Sequence, residues 1–285
     1  MNILFISDFG LHHTPGGAQR SNAIVIEEGR KRGHTIVEMF YDSNPLLIHY
    51  GYDVVISSNL ETFSQAYSNI IDFLNSCDNH ARLEHDANRY LSQESRKKLW
   101  ENCRISFFLT EFHRDMFFEN YGEDYFQNIE IVPDPLDPEV FYDMGKERED
   151  KTLYVGFMHP LKGTDNFIGQ ARANPSKEFV VAGWSQDGTY EAQIKQLDNV
   201  EFLGRVDHSK MTDLYNSYKN LYYMPEYYEP FCRSVGEALM CGMSIESNDI
   251  VGSLHFHEKA GKEEFVSQCG RAPEIFWEKI ENEFV

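Results

Sequence analysis

The sequence has 285 residues with 26 Lys and Arg against 46 Asp and Glu, which gives a formal net charge of −20. Hydrophobic residues make up 41% of the chain, so it can bury a sizeable core and is not disordered, and its length suits about two domains. The acidic balance excludes a general nucleic-acid binder, which needs a basic face to replace the counterions of the phosphate backbone.

Short apolar runs alternate with helical patterns through the first half of the chain. Gly33 is placed to end the first long helix. Strands of this length, separated by helices, predict βαβ units around a parallel sheet. The predicted strands are 3–7, 35–41, 52–57, 104–109 and 129–133, and the predicted helices include 18–32, 61–75 and 86–102.

A proline-rich stretch at Val132–Glu139, followed by a charged segment at 142–151, interrupts this pattern before it restarts. The sequence therefore predicts one domain over 1–143, a second over 144–272, and a terminal helix over 273–285 that crosses back to the first domain. The second domain is expected to hold strands at 152–157, 179–182, 200–203 and 221–224 and helices at 165–173, 190–197, 210–218 and 233–241.

The five cysteines are scattered, odd in number and contain no Cys-x-x-Cys pair. This usage argues against a disulfide scaffold or a zinc site and favours a reducing compartment, so we expect a cytoplasmic protein. No apolar run is long enough for a membrane span, and Met1–Asp8 is too short for a signal-peptide core.

Two carboxylates, Glu229 and Glu237, stand in a loop and in the helix that follows it. Carboxylates accept hydrogen bonds from vicinal hydroxyls, and the free N–H groups of the first helical turn favour a diphosphate. Together they indicate a sugar and ribose site. The alternative is a solvated Glu in a loop and an unrelated Glu on a helix surface.

Glycines mark two further segments. Gly156 ends a predicted strand, where it lets a ligand approach the backbone, and Lys162 follows as a cation for a phosphate. Gly16 and Gly17 open the first long helix, where main-chain N–H groups can close on an anion. Neither segment is a Walker A loop or a dinucleotide fingerprint, and a surface Lys and a plain flexible turn are the alternatives.

In this order, the segments resemble the GT-B glycosyltransferases, specifically glycosyltransferase family 4. The resemblance implies two Rossmann-like doubly wound α/β domains facing across a cleft. The matching stretches are Gly16-Gly17-Ala18, Ile131–Phe141, Tyr154-Val-Gly156, Lys162-Gly163, Val200–Gly204, Leu214-Tyr215, Glu229-Pro-Phe231 and Glu237–Gly242.

The resemblance also implies roles. Glu229 would contact hydroxyls of the transferred sugar, Glu237 would hold the ribose, and Lys162 would neutralise the diphosphate. It implies a retaining reaction without a catalytic metal or a tightly bound cofactor, in which a nucleotide sugar is the donor. The remaining expected donor contacts are the phosphate amides at Gly16 and Gly17, the strand end at Gly156, the loop at Arg205 and Val206 near the base, and the amides at Phe231, Cys232 and Arg233.

His85 is the candidate from the first domain, where a His near the donor sugar can donate a hydrogen bond or help the acceptor proton leave. The alternative is a polar loop beside Asp86, which suits the cap of the next helix. The acceptor, whether carbohydrate, lipid-linked or protein, cannot be read from the sequence.

Two departures from the family pattern leave a second hypothesis open. Phe157 stands where the family usually has Arg, and Cys232 where it usually has Gly. A catalytically silent GT-B homologue that binds a sugar or a partner is therefore the alternative function. An NAD-dependent oxidoreductase or a sugar-nucleotide epimerase is disfavoured, because no glycine fingerprint follows the first strand.

Overall fold

The structure is a computed structural model that describes residues 1–49, 51–87 and 92–285. The described chain divides into two compact units. The first is formed by Met1–Pro135 together with Ser267–Val285, and the second by Leu136–Val266. No helix among the described residues is long and apolar enough to cross a membrane.

The division falls inside the proline-rich break, earlier than the boundary at 143/144 that the sequence suggests. Burial of the intervening residues explains the difference. Leu136 is 1% exposed and packs against Gly236, while the Phe141 ring lies 6.3 Å from that of Tyr215 in the second unit. The segment after Pro135 therefore contributes to the second core.

The first unit contains a parallel sheet in the order β2-β1-β3-β4-β5-β6. Its strands are β1 (Asn2–Ile6), β2 (Thr35–Met39), β3 (Val54–Ser57), β4 (His80–Leu83), β5 (Cys103–Phe108) and β6 (Ile129–Ile131). Its helices are α1 (Gly17–Lys31), α2 (Glu61–Ala66), α3 (Ile70–Asn75), α4 (Gln93–Glu101) and α5 (Glu111–Tyr121).

The second unit contains a parallel sheet in the order β11-β10-β7-β8-β9. Its strands are β7 (Glu149–Phe157), β8 (Phe179–Trp184), β9 (Val200–Gly204), β10 (Tyr218–Tyr223) and β11 (Ser244–Ser247). The helices in this part of the chain are α6 (Thr164–Ala173), α7 (Thr189–Ile194), α8 (Met211–Ser217), α9 (Arg233–Met240), α10 (Gly252–Ala260) and α11 (Lys262–Phe284), the last of which runs on into the first unit.

Alternation along β1 explains why both faces of the first sheet are covered. Ile3 and Phe5 belong to one buried cluster with α1 and α11, whereas Leu4 and Ile6 belong to another with α2, α3 and α4. Successive side chains of a strand point to opposite faces, so a strand that is apolar throughout needs helices on both sides. The prediction of a parallel α/β fold is confirmed.

The terminal helix is longer than predicted. A start at Pro273 was expected, but α11 begins at Lys262 and includes Pro273 within it. From Ser267 onward it belongs to the first unit, where Trp277 is fully buried and its indole N–H donates to the Val25 carbonyl at 2.6 Å. Proline fits a helix start best, but burial of this apolar face offsets its cost in the interior.

Other differences have local causes. The predicted helix 61–75 is two helices, because the backbone leaves helical geometry at Tyr67. The predicted helix 86–102 begins later, at Gln93, and the hydroxyl of its cap Ser92 accepts the Ser95 N–H at 3.1 Å. Asp86 and Ala87 are not helical, and residues 88–91 of that prediction lie outside the described part. Glu149–Lys151, read as linker, begins β7 because it pairs beside Tyr218.

The hydrophobic pattern of the sequence does not predict β4 or β11, because polar residues interrupt both strands. β11 is an edge strand of Ser244-Ile-Glu-Ser247, and β4 carries His80 and Arg82 within a fully buried segment. The Arg82 guanidinium forms a two-point ion pair with Glu84, with N–O distances of 2.6 and 3.1 Å, and both side chains are at most 2% exposed. A charged side chain is tolerated in a buried segment only when it is paired in this way.

Buried His113 gives the first unit a specific sensitivity to acid. Burial lowers its pKa from 6.5 to about 4. Its Nδ1 accepts the Leu109 N–H at 3.3 Å and its Nε2 lies 3.2 Å from the Asp86 carbonyl, so the neutral ring with its proton on Nε2 satisfies both contacts. Protonation of Nδ1 would break the first contact.

We expect His113 to destabilise the fold as the pH falls from about 6.5 to about 4. In this window the unfolded chain binds more protons than the folded one, so the free energy of unfolding decreases with decreasing pH. His113→Gln removes this group and should give a flatter dependence in urea titrations between pH 7 and 4. Equal slopes for the variant and the wild type would contradict the assignment.

Candidate functional site

The loop after β7 fixes Lys162 through a glycine that no other residue can replace. Pro160–Lys162 forms one 3₁₀ turn, and Gly163 follows with φ of +73°. A Cβ at Gly163 would lie 1.8 Å from the Met224 carbonyl oxygen, so only glycine permits this approach. The Glu226 N–H also donates to the Leu161 carbonyl at 3.0 Å. The turn that carries Lys162 is therefore attached to the segment after β10.

Lys162 forms an ion pair with Glu229. The ammonium nitrogen lies 2.5 Å from Glu229 Oε1, and the side chains are 40% and 12% exposed. The Glu229 backbone is held as well, because its N–H donates to Ile250 at 2.9 Å and its carbonyl accepts from Gly252 at 2.8 Å. The pair presents a largely buried carboxylate and a more exposed cation at the carboxyl end of the second sheet.

The start of α9 follows Glu229 closely in the chain and is formed by Phe231, Cys232 and Arg233. Phe231 is buried, and its carbonyl accepts the Ser253 N–H at 2.8 Å. Cys232 has φ of +69°, which makes it the single non-glycine residue with positive φ in the described ranges. Burial raises the pKa of its thiol to about 12, which disfavours the nucleophilic thiolate. Arg233 opens the helix, and its guanidinium lies 3.8 Å from Glu237 Oε1.

Backbone strain at Cys232 can be measured. Both the Cys232→Ala and Cys232→Gly variants lose the thiol, but only glycine adopts positive φ without steric cost. We expect the Gly variant to be more stable than the Ala variant by about 1 kcal/mol. Urea unfolding of the two proteins tests this, and an Ala variant at least as stable as the Gly variant would contradict it.

Glu237 is the most enclosed acid of the site, at 5% exposure. The Tyr215 hydroxyl donates to its Oε2 at 3.0 Å, and His208 Nε2 lies 3.5 Å from its Oε1. Burial, with the Glu237 charge beside it, raises the pKa of Tyr215 well above its usual value. Sequence reasoning assigned no role to Tyr215 or His208. The sequence signal for Tyr215 was that Leu214-Tyr215 matches the family pattern. That match does not indicate that Tyr215 contacts Glu237.

Three neighbouring strands of the second sheet end in a glycine followed by a large side chain. The Phe157 and Trp184 rings lie 4.8 Å apart, and the Arg205 guanidinium lies 5.4 Å from the Trp184 ring centroid. Gly156, Arg205 and Val206, predicted from separate motifs, therefore belong to one edge of the sheet. The three pairs are Gly156-Phe157, Gly183-Trp184 and Gly204-Arg205.

The remaining predicted residues lie in the first unit. Gly16 is the N-cap of α1 and Gly17 its first residue, and no side chain caps this helix among the described residues. His85 is 8% exposed, and its Nε2 lies 2.9 Å from the Asn22 amide oxygen on the same helix. Its Nδ1 lies 3.7 Å from Asp134 Oδ1. The structure thus places His85 in a buried polar cluster that packs on α1.

Within the described ranges, no group of three or more His, Cys, Asp or Glu side chains is arranged to hold a metal ion. All five cysteines are free. The groups described above at the site are carboxylates, cations, backbone amides and aromatic rings.

Comparison with known proteins identifies a matching family model and similar solved structures. Residues 141–282 match the family model for glycosyl transferases group 1. No curated protein matches the chain significantly by sequence.

Solved structures with similar folds span the whole chain. Sucrose-phosphate synthase from Thermosynechococcus elongatus is 14% identical, with a TM-score of 0.69 over 100% of this chain and 95% of that one. Anabaena HepE in complex with UDP and glucose is 13% identical, with a TM-score of 0.66 over 100% and 95%. AviGT4, a glycosyltransferase of avilamycin A biosynthesis, is 15% identical, with a TM-score of 0.63 over 100% and 98%.

These likenesses establish the fold, and the family match covers the part of the chain that contains Lys162, Glu229 and Glu237. The two parallel sheets agree with the fold of these structures. Residues 141–282 belong to the glycosyl transferases group 1 family, within a chain that has the two-unit α/β fold of the GT-B glycosyltransferases.

Proposed function

We propose that this protein is a retaining, metal-independent glycosyltransferase that moves a sugar from a nucleoside diphosphate sugar to a hydroxyl group. The observation that carries the proposal is the Lys162–Glu229 ion pair, with Glu237 eight positions further on and enclosed by donors. Because HepE was solved with UDP and glucose, a UDP-hexose is the first donor to test.

The second unit would bind the donor. Glu229 would accept hydrogen bonds from the hydroxyls of the transferred sugar, and Glu237 from those of the ribose. Lys162 and the backbone amides at Phe231–Arg233 would hold the diphosphate. The distance of 2.5 Å between Lys162 Nζ and Glu229 Oε1 supports this division, because the cation then lies beside the carboxylate proposed to bind the sugar and within reach of the adjoining phosphate.

The reaction would break the bond between the anomeric carbon and the phosphate oxygen, whose electron pair stays on the departing phosphate. Lys162 and fixed N–H donors would stabilise that charge as it develops, which is where such groups lower a barrier most. The acceptor oxygen would form the new bond on the same face of the sugar and pass its proton to the departing phosphate. Charge and atoms then balance without a separate base.

The first unit would bind the acceptor. Gly16 and Gly17 would supply N–H groups of α1 to a phosphate, as helix starts commonly do. His85 is the proposed catalytic histidine. Its Nε2 is engaged with Asn22, so contact with a sugar hydroxyl would require exchange of that hydrogen bond. The acceptor class, whether carbohydrate, lipid-linked or protein, and a cytoplasmic location complete the proposal.

A thermal-shift screen with UDP, GDP, ADP, TDP, CMP and NAD tests the donor class. A ligand at about 100 times its Kd adds about 2.7 kcal/mol to the folded state, which is an easily measured shift. We expect stabilisation by one nucleoside diphosphate and none by NAD. Release of that diphosphate from its sugar conjugate then tests turnover.

A second function is favoured by Phe157 and Cys232, which stand where the family resemblance implies Arg and Gly. A silent homologue would bind a nucleotide or a sugar but release no nucleoside diphosphate. Turnover of any nucleotide sugar excludes this alternative, whereas binding without turnover supports it.

A further inference from the structure

Asp134 is a buried acid in the loop after β6. It is 5% exposed, and its Oδ1 accepts the Ser21 hydroxyl of α1 at 2.6 Å. The same oxygen lies 3.7 Å from Nδ1 of His85, which stands in the loop after β4. A buried carboxylate needs such partners, because a buried charge without them is costly. The family resemblance gave Asp134 no role, although the residue lies in a matching stretch.

The strand order explains why these two loops meet. β4 and β6 flank β5, so the loops that follow them begin about 10 Å apart at the carboxyl edge of the first sheet. Both loops contact α1, because Asp134 accepts from Ser21 and His85 Nε2 lies 2.9 Å from the Asn22 amide oxygen. The His85 ring therefore lies between an amide on one side and a carboxylate on the other.

The two sides of the His85 ring differ in the protonation that they allow. An amide can present its oxygen or its NH₂ group, and Ser58 Oγ is 3.2 Å from Asn22 Nδ2 and 3.3 Å from Asn22 Oδ1. Asn22 can therefore accept or donate at Nε2. An ionised carboxylate only accepts. Asp134 thus favours a proton on Nδ1, and the lone pair of the neutral ring is then on Nε2.

The distance between Asp134 and His85 fits a positioning contact. At 3.7 Å it is longer than a hydrogen bond, and hydrogen bonds of catalytic groups often tighten only when substrate binds. Serine hydrolases use a buried carboxylate in the same way, to hold the tautomer and the orientation of a histidine without touching the substrate. Ser21 anchors Asp134 to α1, so the carboxylate is held in place from a second side.

Two other acids beside His85 in the chain are engaged elsewhere. Glu84 forms the buried ion pair with Arg82, and the Asp86 carboxylate accepts the Asn59 amide. Neither contact requires His85. The acid that faces Nδ1 at ion-pair distance is Asp134.

We propose that Asp134 is the positioning residue of His85: it holds the ring proton on Nδ1, so the Nε2 lone pair is left to accept a hydrogen bond from a substrate hydroxyl. Asn22 occupies Nε2 until that hydroxyl replaces it. No proton moves to the ring, so His85 stays neutral and the acceptor proton still passes to the departing phosphate. This inference rests on the proposed function and adds to it the residue that sets the protonation of the histidine.

NMR of the histidine ring nitrogens tests the inference without turnover. The protein is labelled with ¹⁵N-histidine and measured at about pH 8, where an ordinary imidazole is neutral. His85→Gln identifies the His85 signals among those of the 11 histidines. We expect wild-type His85 to carry its proton on Nδ1 alone. Asp134→Ala should move that proton to Nε2, where the Asn22 oxygen accepts it.

Ser21→Ala is the matched control. It breaks the same hydrogen bond between Ser21 and Asp134 that Asp134→Ala breaks, but it leaves the carboxylate beside His85. Its His85 proton should stay on Nδ1. We expect Asp134→Ala to lower the rate of nucleoside diphosphate release by at least about tenfold, and Ser21→Ala to stay within about threefold of the wild type, because only the first variant misprotonates the ring. Melting curves report whether each variant is folded.

The outcomes separate this inference from the proposed function. A proton on Nε2 of wild-type His85, with or without one on Nδ1, overturns the inference even in an active enzyme. Equal losses of rate in Ser21→Ala and Asp134→Ala with the ring proton unmoved also overturn it, because Asp134 would then only anchor its loop to α1. If the wild type releases no diphosphate from a UDP-, GDP- or ADP-linked sugar, the proposed function fails, and the ring signals still decide whether Asp134 sets the protonation of His85.

Discussion

Replacement of Lys162 by alanine is expected to lower the turnover of the nucleotide sugar by about 100-fold, the usual effect of removing one preorganised group from a developing negative charge. The attraction between the Lys162 cation and the phosphate would be stronger as the phosphate departs than in the bound donor. We therefore expect kcat to fall more than KM rises. The measurement is the initial rate of nucleoside diphosphate release at several donor concentrations.

Lys162 is suited to this test because its side chain is 40% exposed, so its loss should leave the fold intact. Lys219→Ala is the control, since Lys219 is a comparably exposed lysine in β10 whose ion pair with Asp150 is at the 4.0 Å limit. Lys162→Arg keeps the charge and should recover part of the rate. Wild-type kcat in Lys162→Ala would refute the assignment.

Removal of Arg82 is expected to destabilise the first unit by about 3 to 5 kcal/mol, because it leaves the Glu84 carboxylate buried without its main partner. Burial by itself would raise the pKa of Glu84, but the Arg82 charge and hydrogen bonds outweigh burial and hold that pKa below its usual value. Arg82 also donates to Ser57 Oγ at 3.2 Å and to the Ser58 carbonyl. Arg82→Ala also removes the donor to the Ser58 carbonyl, whereas Ser57 Oγ keeps its contact with His80 Nε2 at 2.7 Å.

A double-mutant cycle separates the pair from its surroundings. We expect Arg82→Ala and Glu84→Ala together to cost clearly less than the sum of the single changes in urea unfolding, because the buried charge that each single variant creates is absent from the double variant. Lys146→Ala, which breaks an exposed pair with Asp213, should cost no more than about 1 kcal/mol. Additive costs at Arg82 and Glu84 would contradict the coupling.

The predictable part of the fold was the part that local periodicity encodes. Gly33, with φ of +88°, ends α1 one residue after its cap, and the run at Ile3–Ile6 forms a strand that is buried on both faces. β4 was not predicted, because polar residues such as His80 and Arg82 are typical of exposed positions when only the sequence pattern is considered. Their burial depends on partners in Ser57 and Glu84 that only the folded sheet brings near.

The roles of the site residues stay predictions. Motif spacing and the family resemblance pointed to Lys162, Glu229 and Glu237, and within the second unit the structure joins Lys162 to Glu229 directly. The contacts of Tyr215 and of Trp184 with Arg205 could not be predicted, because each joins elements that are distant in sequence and that only the strand order makes neighbours. The sequence pattern of the loop around His85 likewise does not predict that this residue is buried.

The route of α11 has a consequence for biosynthesis. The Trp277 indole fills the space beside Gly29, where a Cβ would come within 2.3 Å of its ring, and Ser267–Val285 follows the whole second unit in the chain. A ribosome that has delivered residues up to Val266 has supplied everything the second unit needs, while the first still lacks one wall of its core. Domains usually mature in the order in which they are translated. Here the second unit can fold first, and the apolar surface that α11 covers in the first unit stays exposed until Ser267–Val285 have left the ribosome.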